Sequence, residues 1–202
     1  MSSGDPFELH KWCDELERKL PLSEAIAKVS ARMRKSNGRD RYILGLNLHD
    51  LFVRAGRDAE ALSIVDEMIE LYPDDVRVPI IKARHFLYSQ EDPQEALNWI
   101  EMALRRAHRT GFFRREALGV KARILVQLGK GKVLSQVLEE IMALKIKKGI
   151  PDIGRERDFV DRAPPGLISK KVLVAYNKFH PKLAGASDGN EPPEWTHPDD
   201  AE

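Results

Sequence analysis

The sequence predicts an all-α solenoid of helical hairpins, and three observations point there. Small residues recur as spaced pairs along the first two thirds of the 202-residue chain: Ala61 stands twelve positions after His49, Leu134 twelve after Ala122, and Ala96 thirteen after Ala83. The same apolar types return around those anchors. Phe52, Phe86 and Leu125 lie three positions after the first anchor, and Val65, Ile100 and Leu138 four after the second. The resulting period of 34 to 39 residues is that of one helix-turn-helix unit. Such a unit cannot bury its apolar face alone, so the repeat implies a stack.

Taken in order, residues 1–37 read as a degenerate first hairpin. Asp5, Pro6 and Glu8 supply a cap, a first-turn proline and an acid three positions after the cap. The stripe Leu9, Cys13, Leu16 and Leu20 follows, and after Pro21 a second stripe of Leu22, Ala25, Ile26 and Val29. Residues 38–149 read as three clearer hairpins. In the first, Leu44, Leu48, Leu51 and Phe52 precede a turn at Gly56; Asp58 is the expected cap of a helix carrying Ala61, Leu62, Val65, Met68 and Ile69. Tyr72-Pro73 ends it, because a residue before proline is pushed out of the helical region.

In the second, Ile80, Ala83, Phe86 and Leu87 lead to Asp92, Pro93 and Glu95, a strong helix start. Ala96, Leu97, Ile100, Ala103 and Leu104 continue it, and no proline stops the helix before His108. In the third, Leu118, Ala122 and Leu125 precede Gly129, then Leu134, Leu138, Ile141 and Leu144, with Gly149 and Pro151 as the stop. Residues 150–182 read as an irregular segment, rich in proline to Gly166, followed by a capping helix with the stripe Ile168, Val172, Ala175, Tyr176 and Phe179. Such a helix would cover the exposed apolar end of the stack. Residues 183–202 lose apolar periodicity and read as a disordered acidic tail.

Composition narrows the function classes. With 42% hydrophobic and 32% charged residues the chain reads as folded and water-soluble. No apolar run approaches the roughly 18 to 20 residues of a membrane span, and the N-terminal stretch has no signal-peptide core, so a cytoplasmic location is expected. The single cysteine, Cys13, excludes an internal disulfide. The net charge of +1 hides an asymmetry: residues 111–182 carry 16 Lys and Arg against 7 Asp and Glu, while residues 183–202 carry six acids and no base. Adjacent segments of opposite sign suggest an interaction arm or a self-contact.

Catalytic chemistry has little to stand on. The six histidines, His10, His49, His85, His108, His180 and His197, lack metal-ligand spacing beyond the pair His10 and Cys13, so no metal site is expected. His49 falls where two helices should cross and reads as a packed histidine. Cys13, on the apolar face with Leu9 and Leu16, reads as a buried thiol. No glycine-rich phosphate loop, His-Glu metal motif or nucleophile elbow occurs. No cofactor and no catalytic residue is expected.

These residues resemble the tetratricopeptide repeat (TPR), whose pattern is a small residue between helices, an aromatic three later, a glycine turn, an alanine twelve on and a closing proline. Phe52, Gly56, Ala61 and Pro73 match best. The resemblance covers about Asp40 to Lys148 well and Asp5 to Asn37 weakly; His49 and Cys13 replace the usual small residue, and Leu134 replaces an alanine. It implies a right-handed superhelix in which the first helix of each pair lines a concave groove for a peptide or helix. Carried over by position, that groove comprises Ile43, Leu46, Asp50, Val53, Arg54, Arg77, Ile80, Arg84, Leu87, Tyr88, Glu116, Arg123 and Gln127. Its arginines suit an acidic or amphipathic ligand and are expected to add little to the fold. The carboxylate clamp for heat-shock chaperone tails is absent, since Leu46, Asp50, Ile81, Glu116 and Val120 occupy its places.

The implied function is a non-enzymatic protein-interaction module, a scaffold, adaptor or small client chaperone. A second reading assigns the basic region 105–182, with Arg105, Arg106, Arg109, Arg114, Arg115, Lys145, Lys147, Lys148, Arg155 and Arg157, to nucleic acid or another anionic surface. The tail reads first as a solubilising end; the sharper alternative is a self-contact, with Trp195 anchored in the groove and its acids on Arg77, Arg84 or Arg123, in cis or on a second copy.

Overall fold

A computed structural model describes residues 6–107, 111–144 and 156–179. Among them are ten helices and no strand: α1 (Pro6–Lys19), α2 (Leu22–Met33), α3 (Gly38–Arg54), α4 (Asp58–Leu71), α5 (Arg77–Tyr88), α6 (Pro93–Arg106), α7 (Gly111–Gln127), α8 (Gly131–Ala143), α9 (Glu156–Asp161) and α10 (Lys170–Phe179). The all-α helical-hairpin fold read from the periodicity is therefore present. Consecutive helices pack as pairs, α3 with α4, α5 with α6, and α7 with α8, and each pair leans on the next through α4 with α5 and α6 with α7.

Local chemistry places some of the boundaries. Asp92 accepts hydrogen bonds from the Gln94 and Glu95 amides at 3.1 and 2.9 Å, with Pro93 in the first turn of α6. This satisfies two of the amides that a helix start leaves open. Asp75 does the same for Val78 at 2.8 Å near the start of α5. Asp58 does not cap α4. It is the first residue of that helix, its cap position is Arg57, and no side chain closes it. The Asp58 carboxylate instead lies 3.7 Å from His85 Nε2. α6 ends at Arg106, and the expected extension to His108 lies outside the described residues, as do Asp5, the basic run Lys145 to Lys148 and the tail.

The three hairpin turns share one backbone device. Gly56 (φ 66°), Glu91 (φ 51°) and Gly129 (φ 64°) each hold a left-handed conformation, and each stands five residues before the second anchor, Ala61, Ala96 or Leu134. Glycine adopts this conformation without strain, whereas a side chain raises its energy. The middle hairpin therefore keeps the turn geometry with a strained residue.

Apolar side chains from every helix meet between the layers. Leu9, Cys13, Ala25, Val29, Leu44, Leu48, Leu51 and Ala61 pack together at the N-terminal end. Leu46, Val65, Met68 and Val78 join α3, α4 and α5. Ile80, Ala83, Ala96, Ile100, Leu118, Ala122, Leu125, Leu134 and Leu138 fill the other end. The anchors Ala61, Ala83, Ala96, Ala122 and Leu134 are all fully buried, as helix crossings require.

The C-terminal region departs from its sequence-based reading. A helix, α9, lies inside the stretch expected to be irregular, and it packs on α7, while α10 packs on α8. Of the stripe assigned to the capping helix, Ile168, Val172 and Tyr176 are buried, whereas Ala175 is exposed and Phe179 is 41% exposed. The difference has a physical source. α10 is ten residues long and packs along α8, with Tyr176 reaching Glu156 of α9, so a single line of buried residues suffices. α7, by contrast, is enclosed: Arg115–Val120 and Ala122–Leu125 are buried throughout. Its neighbours are α5, α6, α8 and α9.

Candidate functional site

The first helices α3, α5 and α7 carry all thirteen residues assigned to the groove. Asp50, Arg54, Arg77, Tyr88 and Gln127 are exposed, and Val53 and Arg84 are half-buried. Ile43, Leu46, Ile80 and Leu87 are buried among the helices and build the stack. Glu116 and Arg123 are also buried. The positional carry-over could not separate these groups, because burial depends on the neighbouring helix and not on the place within a unit.

Most charges of this face already have partners. Arg84 meets the Glu116 carboxylate at 3.0 Å across α5 and α7. Arg54 is paired with Glu17 of α1, and Asp50 meets His49 Nδ1 at 2.9 Å. Arg123 donates to the Tyr88 hydroxyl at 2.6 Å and sits over the Phe159 ring at 4.9 Å. Arg84 and Arg123 are thus structural ties between helices, contrary to the expectation that groove arginines add little to the fold. Arg77 is exposed and forms no ion pair among the described residues.

Four members of the basic cluster of the second reading are likewise engaged in the fold, while Arg105 is exposed and Arg109, Lys145, Lys147, Lys148 and Arg155 lie outside the described residues. Arg106 donates to the Asp75 carbonyl at 2.9 Å, Arg114 pairs with Glu140, and Arg157 pairs with Asp161 at 2.8 Å. Arg115, placed by the second reading on a surface for anions, is 3% exposed. Its guanidinium grips Glu156 at 2.5 and 3.0 Å, and the Tyr176 hydroxyl donates to the same carboxylate at 2.9 Å. Burial opposes ionisation of Glu156, but the Arg115 fork and the Tyr176 hydroxyl outweigh it and hold the carboxyl below the usual Glu range. No sequence signal marked this network, since its members are spread over three helices.

A second buried polar group joins α3, α4 and α5. The His49 and His85 rings meet edge-on at 5.6 Å. His49 Nε2 and both ring nitrogens of His85 lack a hydrogen-bond partner. Desolvation, with help from His49 and Lys82, pushes His85 below the ordinary histidine range, and only Asp58 opposes this. Lys82 is itself buried, paired with Asp66 and 3.8 Å from the Trp99 ring centroid.

Cys13 and His10 do not act together. Burial pushes the Cys13 thiol up to about 12, which leaves almost no thiolate at neutral pH. His10 Nδ1 instead faces the Asn47 amide at 3.2 Å. No three His, Cys, Asp or Glu side chains converge on a metal position among the described residues. No described helix is long and apolar enough to cross a membrane.

Two surface clefts flank this arrangement. One, of about 380 Å³, is lined by Leu87, Tyr88, Glu91, Pro93 and Gln127 at the C-terminal ends of α5 and α7. The other, of about 470 Å³, is lined by Asn37, Gly38, Arg41, Leu71 and Tyr72 at the end of the α3–α4 pair.

Two solved structures have the same arrangement of helices. One holds the nearly identical TPR-like repeats of a kinesin light chain-like protein from Podosopora anserina, with a TM-score of 0.62 and 14% identity, covering 88% of this chain and 95% of that one. The fold is a TPR-like repeat solenoid. The second, a single-substitution variant of the same repeats, gives a TM-score of 0.62 and 13% identity, with 88% and 97% covered. No family model matches the chain, and no curated protein matches it. At this identity the likeness is one of fold alone.

Proposed function

We propose that the chain is a non-enzymatic interaction module, a scaffold, adaptor or small client chaperone. It holds an acidic or amphipathic peptide or helix along the first-helix face of α3, α5 and α7. The observation that carries this reading is the row of exposed or half-exposed side chains Asp50, Val53, Arg54, Arg77, Arg84, Tyr88 and Gln127 on successive helices of a repeat solenoid. Such a row offers apolar contact and donors at a repeating interval, which suits an extended or helical ligand. The second reading, an anionic surface bound by the region 105–182, is disfavoured because Arg106, Arg114, Arg115 and Arg157 already serve the fold.

A photo-crosslinking residue at Arg77 or Gln127, compared with one at Ser63 on the exposed side of α4, tests the proposal. A partner captured through α5 and α7 but not through α4, and lost in Arg77→Glu, supports it. Capture through both faces alike overturns it. Salt-sensitive retention on duplex nucleic acid, abolished by reversing Lys170, Lys171 and Lys178, would favour the second reading.

A further inference from the structure

α5 and α7 are tied by two successive rungs. In the first, Arg84 meets a carboxylate, that of Glu116. In the second, Arg123 meets no carboxylate among the described residues: it donates to the Tyr88 hydroxyl at 2.6 Å and lies 4.9 Å from the Phe159 ring centroid. Arg123 is 6% exposed, forms no ion pair among the described residues, and its Nε has no hydrogen-bond partner there. A guanidinium so far removed from water and without a counter-charge is costly. Tyr88 also lines the open cleft that it forms with Leu87, Glu91, Pro93 and Gln127. The Tyr88 oxygen accepts from Arg123, so the phenolic proton remains to be given to another acceptor, and no described residue takes it. Tyr88 is 39% exposed, within reach of a ligand.

We propose that this cleft is a carboxylate subsite. One carboxylate of a bound peptide, from an acidic side chain or from a free C-terminus, accepts the Tyr88 hydroxyl proton. Arg123 behind the phenol polarises that donor, and the carboxylate supplies the counter-charge that the guanidinium lacks. Gln127 lines the same cleft and offers its amide as a second donor, and Pro93 offers apolar contact to the stem that carries the carboxylate. Glu91 at the exposed rim sets the selectivity, because its charge repels a run of acids and leaves room for a single carboxylate on an apolar stem. This inference rests on the reading of the first-helix face as a peptide site, and it assigns that face one anchoring chemistry.

The test uses the full chain and three fluorescent peptides: one amide-capped with a single internal Glu among Leu and Ala, one with a free C-terminus and no acidic side chain, and one amide-capped with Gln in place of Glu. Fluorescence anisotropy should show one of the two acidic forms binding about tenfold more tightly than the neutral peptide, and which one identifies the source of the carboxylate. Gln127→Glu should remove most of that preference, Glu91→Gln should strengthen it about threefold, and Tyr88→Phe should bring the acidic and neutral peptides together. All three positions lie at the surface, and circular dichroism confirms that the variants remain helical. If a peptide binds but its acidic preference survives Tyr88→Phe and Gln127→Glu, the subsite is wrong while the peptide face stands. If acidic and neutral peptides behave alike, or none binds, the subsite is likewise overturned, and the crosslinking comparison decides the face separately.

Discussion

Arg115 and Glu156, forty-one positions apart, bury their ion pair with side-chain exposures of 4% and 0%. With the Tyr176 hydroxyl added, this one carboxylate ties α7, α9 and α10 together. Removing one partner leaves an uncompensated buried charge, so Arg115→Met or Glu156→Leu alone should cost about 3 to 5 kcal/mol. The double variant should recover much of that loss. Urea unfolding of the four proteins gives the coupling directly. The Glu156 carboxyl is held below its ordinary value of 4.5, so its contribution is full above that pH and fades as pH falls through the lowered folded value.

The His49–His85 contact should make the fold sensitive to mild acid. His85 is depressed below its ordinary 6.5, first by burial and then by His49, with Lys82 adding and Asp58 opposing. The unfolded chain then takes up the proton first, so stability is full above about pH 6.5 and declines as pH falls through the interval down to the folded value. Thermal melts from pH 8 to pH 5 should show this decline. In His85→Leu it should be smaller, with little loss at pH 8, because neither ring nitrogen of His85 has a hydrogen-bond partner to lose.

The strained turn at Glu91 offers a gain. Its φ of 51° is the conformation that Gly56 and Gly129 hold in the other two turns. Glu91→Gly relieves about 1 to 2 kcal/mol of strain and returns about 0.4 to 1 kcal/mol through the freer unfolded chain. The variant should melt higher. Gly56→Ala should melt lower, although a Cβ there meets nothing within 4 Å.

Two glycines test the packing of the C-terminal helices against that of the N-terminal ones. A Cβ on Gly131 would lie 1.9 Å from the Leu167 carbonyl oxygen, a backbone atom, while one on Gly45 would lie 2.6 Å from Met68 Sδ. The methionine can swing aside and the carbonyl cannot. Gly131→Ala should therefore cost about 1 to 3 kcal/mol and expose the segment from Pro164 onward to limited proteolysis. Gly45→Ala should cost less and leave that segment protected.

The repeat itself was legible because its cause is local. Spacing of Ala61, Ala83, Ala96 and Ala122 follows from the helical period, and caps such as Asp92 with Pro93 act within a few residues. The candidate site was legible only in part. Tyr88, Arg77 and Gln127 could be placed on the first-helix face by position, but the same reasoning set Ile80, Leu87 and Arg123 beside them as surface groups. Helix α9 escaped notice because six residues are too few for a periodic signal, and its stability comes from what it packs against.

The sequence by itself determined the all-α class, the hairpin repeat, the turns at Gly56 and Gly129, and the lack of the usual catalytic motifs. Each of these is written in residues close together along the chain. Only the tertiary structure decided which charges are available to a ligand: Arg84 is tied to Glu116, Arg115 to Glu156, and Arg123 is left with a phenol and the Phe159 ring. Charge pairing and burial are settled by residues that approach across helices, at separations that no periodic pattern records.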